Sequence, residues 1–281
     1  MANDHFDVLI VGAGLSGIGA ACHLQTECPG KTYAILEGRG AIGGTWDLFR
    51  YPGIRSDSDM YTLGYIFKPW TSPKAIAEGS TIRSYVRETA TEHGIDQHIR
   101  FHHKVKRAEW SSAQARWTVT VEAGGETSPK QMTCSFLFMC SGYYKYEAGF
   151  TPHFEGLDSF AGDVVHPQKW TEDIDYSGKS VVVIGSGATA VTLVPEMAKS
   201  AAHVTMLQRS PTYIVSRPST DKIANMVRRF LPGGVAYKVS RWKNILLGMF
   251  FYNRSQKRPE RVKRRLLQMT RDELGPNFDI E

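Results

Sequence analysis

At 281 residues, with 42% hydrophobic and 22% charged side chains, the chain is long enough for two domains and falls in the globular range. It holds no run of eighteen apolar residues, which excludes a membrane-spanning helix, and no C-x-x-C pair. The net charge of +6 is unevenly spread: thirteen Lys/Arg and one acid, Glu260, lie between Arg228 and Arg271, and the remainder is mildly acidic.

The opening MANDHFDVLIVGAG has no basic segment ahead of its apolar run, so it reads as a buried strand and not an export signal. Cys22, Cys28, Cys134 and Cys140 are scattered and read as small buried hydrophobes of a reducing cytoplasm, with no metal site, which makes the sequon at Asn253 irrelevant.

Two segments share one grammar of apolar strand, glycine turn and helix. The first is FDVLIV from Phe6, G-A-G-L-S-G from Gly12, a helix to about Thr26, and the strand KTYAILE ending on Glu37. An irregular stretch from Ala41 to Pro73 follows, then a helix near Thr81–His93 and β-like runs RWTVTVE and SFLFMCSG. Proline and glycine at 151–162 mark the crossing to a second domain. The second copy is SVVVI from Ser180, G-S-G-A-T-A from Gly185, a helix to about Lys199, and HVTMLQR ending on Arg209. Each is a βαβ start, which predicts a parallel sheet with a ligand at the strand C-termini. Beyond Pro218 the pattern is helical. Ile223, Met226, Val227, Phe230 and Leu231 make one apolar stripe and Trp242, Ile245, Leu246, Met249 and Phe250 another, both expected to face a core. The basic block around them could meet phosphate, an anionic membrane or solvent, and solvent is the default reading.

The first turn has the full context of a dinucleotide fingerprint. Gly12 permits the tight turn, Gly14 lets backbone approach a pyrophosphate, Gly17 lets helix and strand pack closely, and Glu37 can accept from a ribose 2′-hydroxyl. In the second copy Gly185, Ser186, Gly187, Ala188 and Thr189 form the turn, and Ala190 takes the third glycine's place. The strand there ends in Gln208 and Arg209. A guanidinium can pair with the 2′-phosphate that a carboxylate would repel, so this site reads as one for NADPH. Two such sites suggest hydride transfer from nicotinamide to flavin. Residues 41–59 contain no cysteine, which argues against a disulfide reductase and leaves dioxygen as the acceptor.

FAGDVVHPQKW, from Phe160 to Trp170, matches F-x-G-x-x-x-H-x-x-x-W, and the chain thereby resembles the Baeyer–Villiger monooxygenases. Trp170 separates them from related flavin-containing monooxygenases, which usually carry Tyr or Phe there; Thr171 departs from the usual Pro or Asp. G-G-T-W from Gly43 and RYPGIRSD from Arg50 also look like that family's flavin-facing segments. The resemblance implies an α/β fold of three layers with two Rossmann-like domains, for FAD over 1–150 and NADPH over 176–281. The signature linker would lie at 151–175, and the C-terminal part of the family fold would be absent. It implies that oxygen adds to reduced flavin as a C4a-peroxide, with NADP⁺ sheltering it. One oxygen atom then enters a ketone, thioether, thioamide or nitrogen centre. It further implies that Asp57 sits beside the flavin, that Thr45, Trp46 and Asp47 line isoalloxazine and pyrophosphate, and that Arg55 lies near the nicotinamide. Ser16 and Val105 would contact FAD through backbone, and His166 and Trp170 would couple domain motion to catalysis. The partners expected are a small-molecule substrate and O2, without nucleic acid, in the cytoplasm, with the basic helices of 228–271 as the surface for any membrane contact. The family's catalytic Arg lies further along than Glu281, so the chain reads as the N-terminal half of a longer protein. The alternatives are a heteroatom-oxidising flavin monooxygenase and an inactive nucleotide-binding remnant.

Overall fold

A computed structural model describes residues 5–210 and 212–275; Met1–Asp4 and Glu281, which figure in the reading of the chain ends, lie outside them. In chain order the elements are β1 (His5–Val11), α1 (Leu15–Glu27), β2 (Tyr33–Leu36), α2 (Thr45–Leu48), α3 (Met60–Leu63), α4 (Gly79–Glu92), β3 (Ile99–Arg100), β4 (His103–Ser111), β5 (Arg116–Ala123) and β6 (Lys130–Met139). Then come β7 (Ser180–Ile184), α5 (Ala188–Met197), β8 (His203–Leu207), α6 (Lys222–Phe230), α7 (Gly233–Lys257) and α8 (Pro259–Leu274). The chain divides into two compact units, one running to Tyr51 and resuming at Gly79–Ile174, the other made of Pro52–Glu78 and the chain from Asp175 onward.

The first unit is α/β around a six-stranded sheet in the order β3-β2-β1-β6-β5-β4. β1 is parallel to β2 and β6, and β2 to β3, whereas β4, β5 and β6 form an antiparallel meander. The sheet is therefore mixed, not parallel throughout. The meander needs only short turns, and its strands alternate: Val119 and Val121 of β5 and Met132 and Cys134 of β6 pack with Leu9 and Leu36. α1 buries Ile18, Ala21 and Cys22, and α4 buries Ile82, Val86 and Ala90 at four-residue spacing. Cys28 is exposed, unlike the buried position expected of it. The stretch 52–78, expected within 1–150, packs in the second unit.

In that unit β7 and β8 form a parallel pair from Ser180↔His203 to Ile184↔Leu207, with α5 connecting them. The two helical stripes expected to face a core point outward instead: Phe230 is 80% and Trp242 61% exposed, and Ile223, Met226, Leu246, Met249 and Phe250 are exposed with them. The packed faces of α6 and α7 hold Ala224, Ala236 and Ser240, small residues that admit close approach, and Tyr237. Nor is the basic block wholly solvated. Arg241 donates to the carbonyls of Tyr61 (2.7 Å) and Gly64 (2.9 Å), Arg228 donates to those of Thr71 and Ser72, and the Tyr237 hydroxyl donates to Tyr65 O (3.0 Å). These bonds hold 61–72 in the second unit. No helix among the described residues is long and apolar enough to cross a membrane.

α1 packs on β1 so closely that a Cβ at Gly17 would overlap the Gly12 carbonyl oxygen. Gly17→Ala is therefore expected to lower stability by about 2 kcal/mol or more, read from the denaturant midpoint. An unchanged midpoint would show that the turn gives way freely.

Candidate functional site

The first glycine turn leaves the C-terminal end of β1. Gly12 has φ +104°, its N–H donates to Leu36 O (2.8 Å), and a Cβ there would sit 2.5 Å from Cys140 O. Gly14 is different: a Cβ would meet only Gly44, with its Cα 3.5 Å away. Protein packing alone thus tolerates a Cβ at 14, in ordinary van der Waals contact with the Gly44 backbone. Gly14 caps α1 without a side-chain bond, no acid stands in the first turn, and Ser16 is exposed there. The helix therefore has uncapped amides and its positive dipole end at this turn. Glu37, 3% exposed, accepts from Ala13 N through Oε2 and from Arg39 N through Oε1, both at 2.8 Å. It holds the turn, and lone pairs remain on both oxygens.

The segment Gly43–Asp47 closes over this turn, with Gly43 N donating to Ala13 O (3.1 Å). Thr45 and Trp46 are half-buried on α2. Asp47 is buried, and its carboxylate faces inward to arginines: Arg39 at 2.7 Å, Arg87 at 2.8 Å, Arg50 at 2.9 Å and Arg83 at 3.9 Å. The same guanidinium groups reach backbone, Arg39 to Gly44 O (3.4 Å), Arg87 to Ile42 O (3.2 Å) and Arg50 to Asp47 O (3.0 Å). One carboxylate thereby ties the end of β2, the Gly43–Asp47 segment and α4, and the cluster keeps an excess of positive charge. Tyr146 lies against it, with Arg39 5.6 Å from its ring centre; burial pushes its phenol above the usual range, and Glu37 adds to that rise. Val105 is half-buried at a β-bulge between β4 and β5.

Arg55 and Asp57 are exposed members of the second unit. Asp57 lines a cavity of about 360 Å³ with Asp59, Thr62, Arg217, Asn244, Met249 and Phe251. In the same unit Gly185 has φ +126° and Gly187 caps α5 without a side-chain bond, and a Cβ added at either glycine would have no neighbour within 4 Å. Ser186 Oγ donates to Ser210 O (3.5 Å), which keeps the turn beside the end of β8; Ala188 and Thr189 begin α5 and Ala190 is buried. Gln208 and Arg209 are exposed, and Arg209 makes no ion pair among the described residues.

The signature residues lie in the first unit. Phe160 packs its ring on Gly162, where a Cβ would come within 2.7 Å, which accounts for F-x-G in local terms. His166 Nδ1 accepts from Gln168 N (3.2 Å), a turn-capping role, and Trp170 is half-buried. Within the first unit the structure brings Gly12, Gly14, Glu37, Thr45 and Asp47 together; Asp57 belongs with the residues of the second unit. Sequence reading named Arg50 only as the first residue of the resembling segment RYPGIRSD, and missed Arg39, Arg83, Arg87, Tyr146 and Gln168. Among the missed residues Arg83 and Arg87 carried a signal, since i,i+4 spacing puts them on one helical face.

These two turns define a dinucleotide-binding class of fold. Residues 10–69 match the model of an NAD(P)-binding Rossmann-like domain and residues 70–231 that of flavin-binding monooxygenase-like proteins. The chain belongs to the flavin-binding monooxygenase-like family. It is 57% identical over 278 residues to the FAD-containing monooxygenase EthA of Mycobacterium tuberculosis, covering 99% of this chain and 56% of that protein. The EthA protein of Mycolicibacterium smegmatis is 57% identical over 279 residues, at the same coverage of 99% and 56%. A solved structure of an oxidized steroid monooxygenase bound to NADP is 31% identical with a TM-score of 0.66, over 75% of this chain and 40% of that one. The chain spans about half the length of the curated relatives it matches.

Replacing Asp47 with Asn should destabilise the first unit by about 2–3 kcal/mol, because the guanidinium groups lose the counter-charge they share while remaining partly solvated. Arg87→Gln removes one of four partners and should cost less than about 1 kcal/mol. Urea unfolding of both variants checks this, and equal costs would show that Asp47 is not the shared anchor.

Proposed function

We propose that this chain carries the FAD- and NADPH-binding portions of a monooxygenase that transfers one oxygen atom of O2 to a small-molecule ketone, or to a sulfur or nitrogen centre. The observation that carries the reading is the opposite charge at two otherwise similar turns, a buried Glu37 bonded to the first and an exposed Arg209, without an ion-pair partner among the described residues, at the second. FAD would supply the oxygen-activating redox chemistry when bound, with NADPH as reductant.

The chain's own residues then have distinct tasks. Gly12, Gly14, Ser16 and Gly17 offer backbone and helix dipole to a pyrophosphate, Glu37 accepts from a ribose hydroxyl, and Val105 contributes backbone. Thr45, Trp46 and Asp47 line the same cofactor, Asp47 by fixing arginines whose surplus charge attracts phosphate. Gly185 to Ala190 and Gln208 hold the second dinucleotide, with Arg209 on its 2′-phosphate and Arg55 toward its nicotinamide end. Asp57 provides negative charge to orient a cationic side chain beside the reacting centre, and His166 and Trp170 fix the signature segment. The same proposal includes peripheral membrane contact: α7 and α8 turn Trp242, Phe250, Arg261 and Arg264 outward, which suits an anionic lipid surface.

Arg209→Ala should weaken NADPH binding about ten- to a hundredfold and leave NADH binding nearly unchanged, as expected for loss of a charge-assisted pair. Titration of both nucleotides, with flavin absorbance recorded on the same samples, tests the reading. Equal losses for both nucleotides would sink the 2′-phosphate assignment, and a chain that takes up no flavin would sink the FAD assignment.

A further inference from the structure

Gln168 occupies one of the unspecified positions between the His and the Trp of the signature, yet it is 6% exposed, more buried than either. Its carboxamide has two N–H bonds, and Nε2 donates to the carbonyls of both Lys145 (2.7 Å) and Tyr146 (3.1 Å). Its backbone N–H meanwhile donates to His166 Nδ1. The other side of the histidine is fixed by Gly149, where any Cβ would overlap the imidazole ring. The signature segment is thus clamped to the chain that follows β6. That chain continues the contact inward: the Tyr146 ring carries Arg39, Arg39 bonds Gly44 O and Asp47, and Gly44 packs on Gly14. All these residues lie in one compact unit.

We propose that Gln168 is the positioning residue that couples the signature segment 166–170 to the first dinucleotide turn, acting through Tyr146, Arg39 and Gly44. It touches neither turn nor ligand itself. The loss of Gln168 frees Lys145–Tyr146, removes the support of the Arg39 guanidinium and loosens Gly43–Asp47 where Gly44 packs on Gly14. Binding of a dinucleotide at that turn tightens the same contacts in reverse and orders 166–170, because coupling between two sites is reciprocal. The ligand half of the inference rests on the proposed FAD site; the clamp itself does not.

The test is hydrogen exchange on the full chain, with and without FAD, in the native protein and in Gln168→Met and Gln168→Glu. Met keeps the volume and removes both donors; Glu keeps the shape but sets a carboxylate against two carbonyls, so its effect should be the larger. Without ligand, both variants are expected to exchange about tenfold faster at 166–170 and also at 43–47, corresponding to about 1.4 kcal/mol, while β1 and β5 stay unchanged. Faster exchange confined to 166–170 would overturn the coupling. With FAD, the native chain gains protection at 166–170 and Gln168→Met does not, although it still quenches flavin fluorescence on titration. Protection in the variant equal to that of the native chain would also overturn it. If the native chain takes up no FAD, the cofactor reading falls, and the ligand-free comparison still decides the clamp. Gly149→Ala, which displaces His166 from the opposite side, should reproduce the faster exchange at both segments.

Discussion

The Asp47 carboxylate is 4% exposed and has four guanidinium groups around it, drawn from the loop after β2, from the end of α2 and from α4. None of these elements is a strand that could pair edge to edge with the others, and the carbonyls of the loop and the short helix need donors from outside. A buried charge with multiple donors supplies the missing connection. It is stable there only because its partners are numerous and partly solvated, which lowers the cost of removing the carboxylate from water. The arginines spend their remaining donors on carbonyls of Ile42, Gly44 and Asp47, so the electrostatic anchor also sets the path of the backbone over the glycine turn.

The two turns use the same covalent grammar under different constraints. At the first, Gly12 and Gly17 are fixed by the protein itself, since side chains there would strike neighbouring carbonyls. At the second, the glycines face open space and only the positive φ of Gly185 is a demand of the fold. Charge follows the same division. Glu37 is bonded into its turn, whereas Arg209 stands exposed at the end of β8. Arg209 also makes no ion pair among the described residues.

The βαβ starts were legible in the sequence because their signals are local: an apolar run, glycines at fixed offsets, a helix after them. β3 and β4 were not, since a two-residue strand has no periodicity and β4 alternates charged with half-buried residues. The stripes of α6 and α7 were visible as stripes, but periodicity identifies a face without saying what lies against it; the packed faces carry Ala224, Ala236 and Tyr237. Charge counting failed at Arg228 and Arg241 for a related reason, as their partners are carbonyls more than a hundred and fifty residues away. Asp47 was placed near the cofactor by resemblance, but its arginine partners range from three to forty residues distant and left no joint pattern. Gln168 was hidden because a signature records which side chains recur and is blank at the positions between.

The mixed sheet has a consequence for how the chain comes to be folded as it is made. β1 leaves the ribosome before any strand it pairs with, and its partner on one side, β2, follows within about thirty residues. Its other edge pairs with β6, His5 opposite Thr133, so that edge stays unsatisfied until 128 further residues have been added. β4, β5 and β6 have no such wait, because antiparallel neighbours joined by short turns close quickly. Chain order therefore allows the meander to pair without β1, whereas β1 cannot complete its second edge until β6 exists. Until β6 is made, the backbone groups of β1 that face it have no strand partner, and Leu9 and Ile10, buried in the finished fold, lack part of their cover.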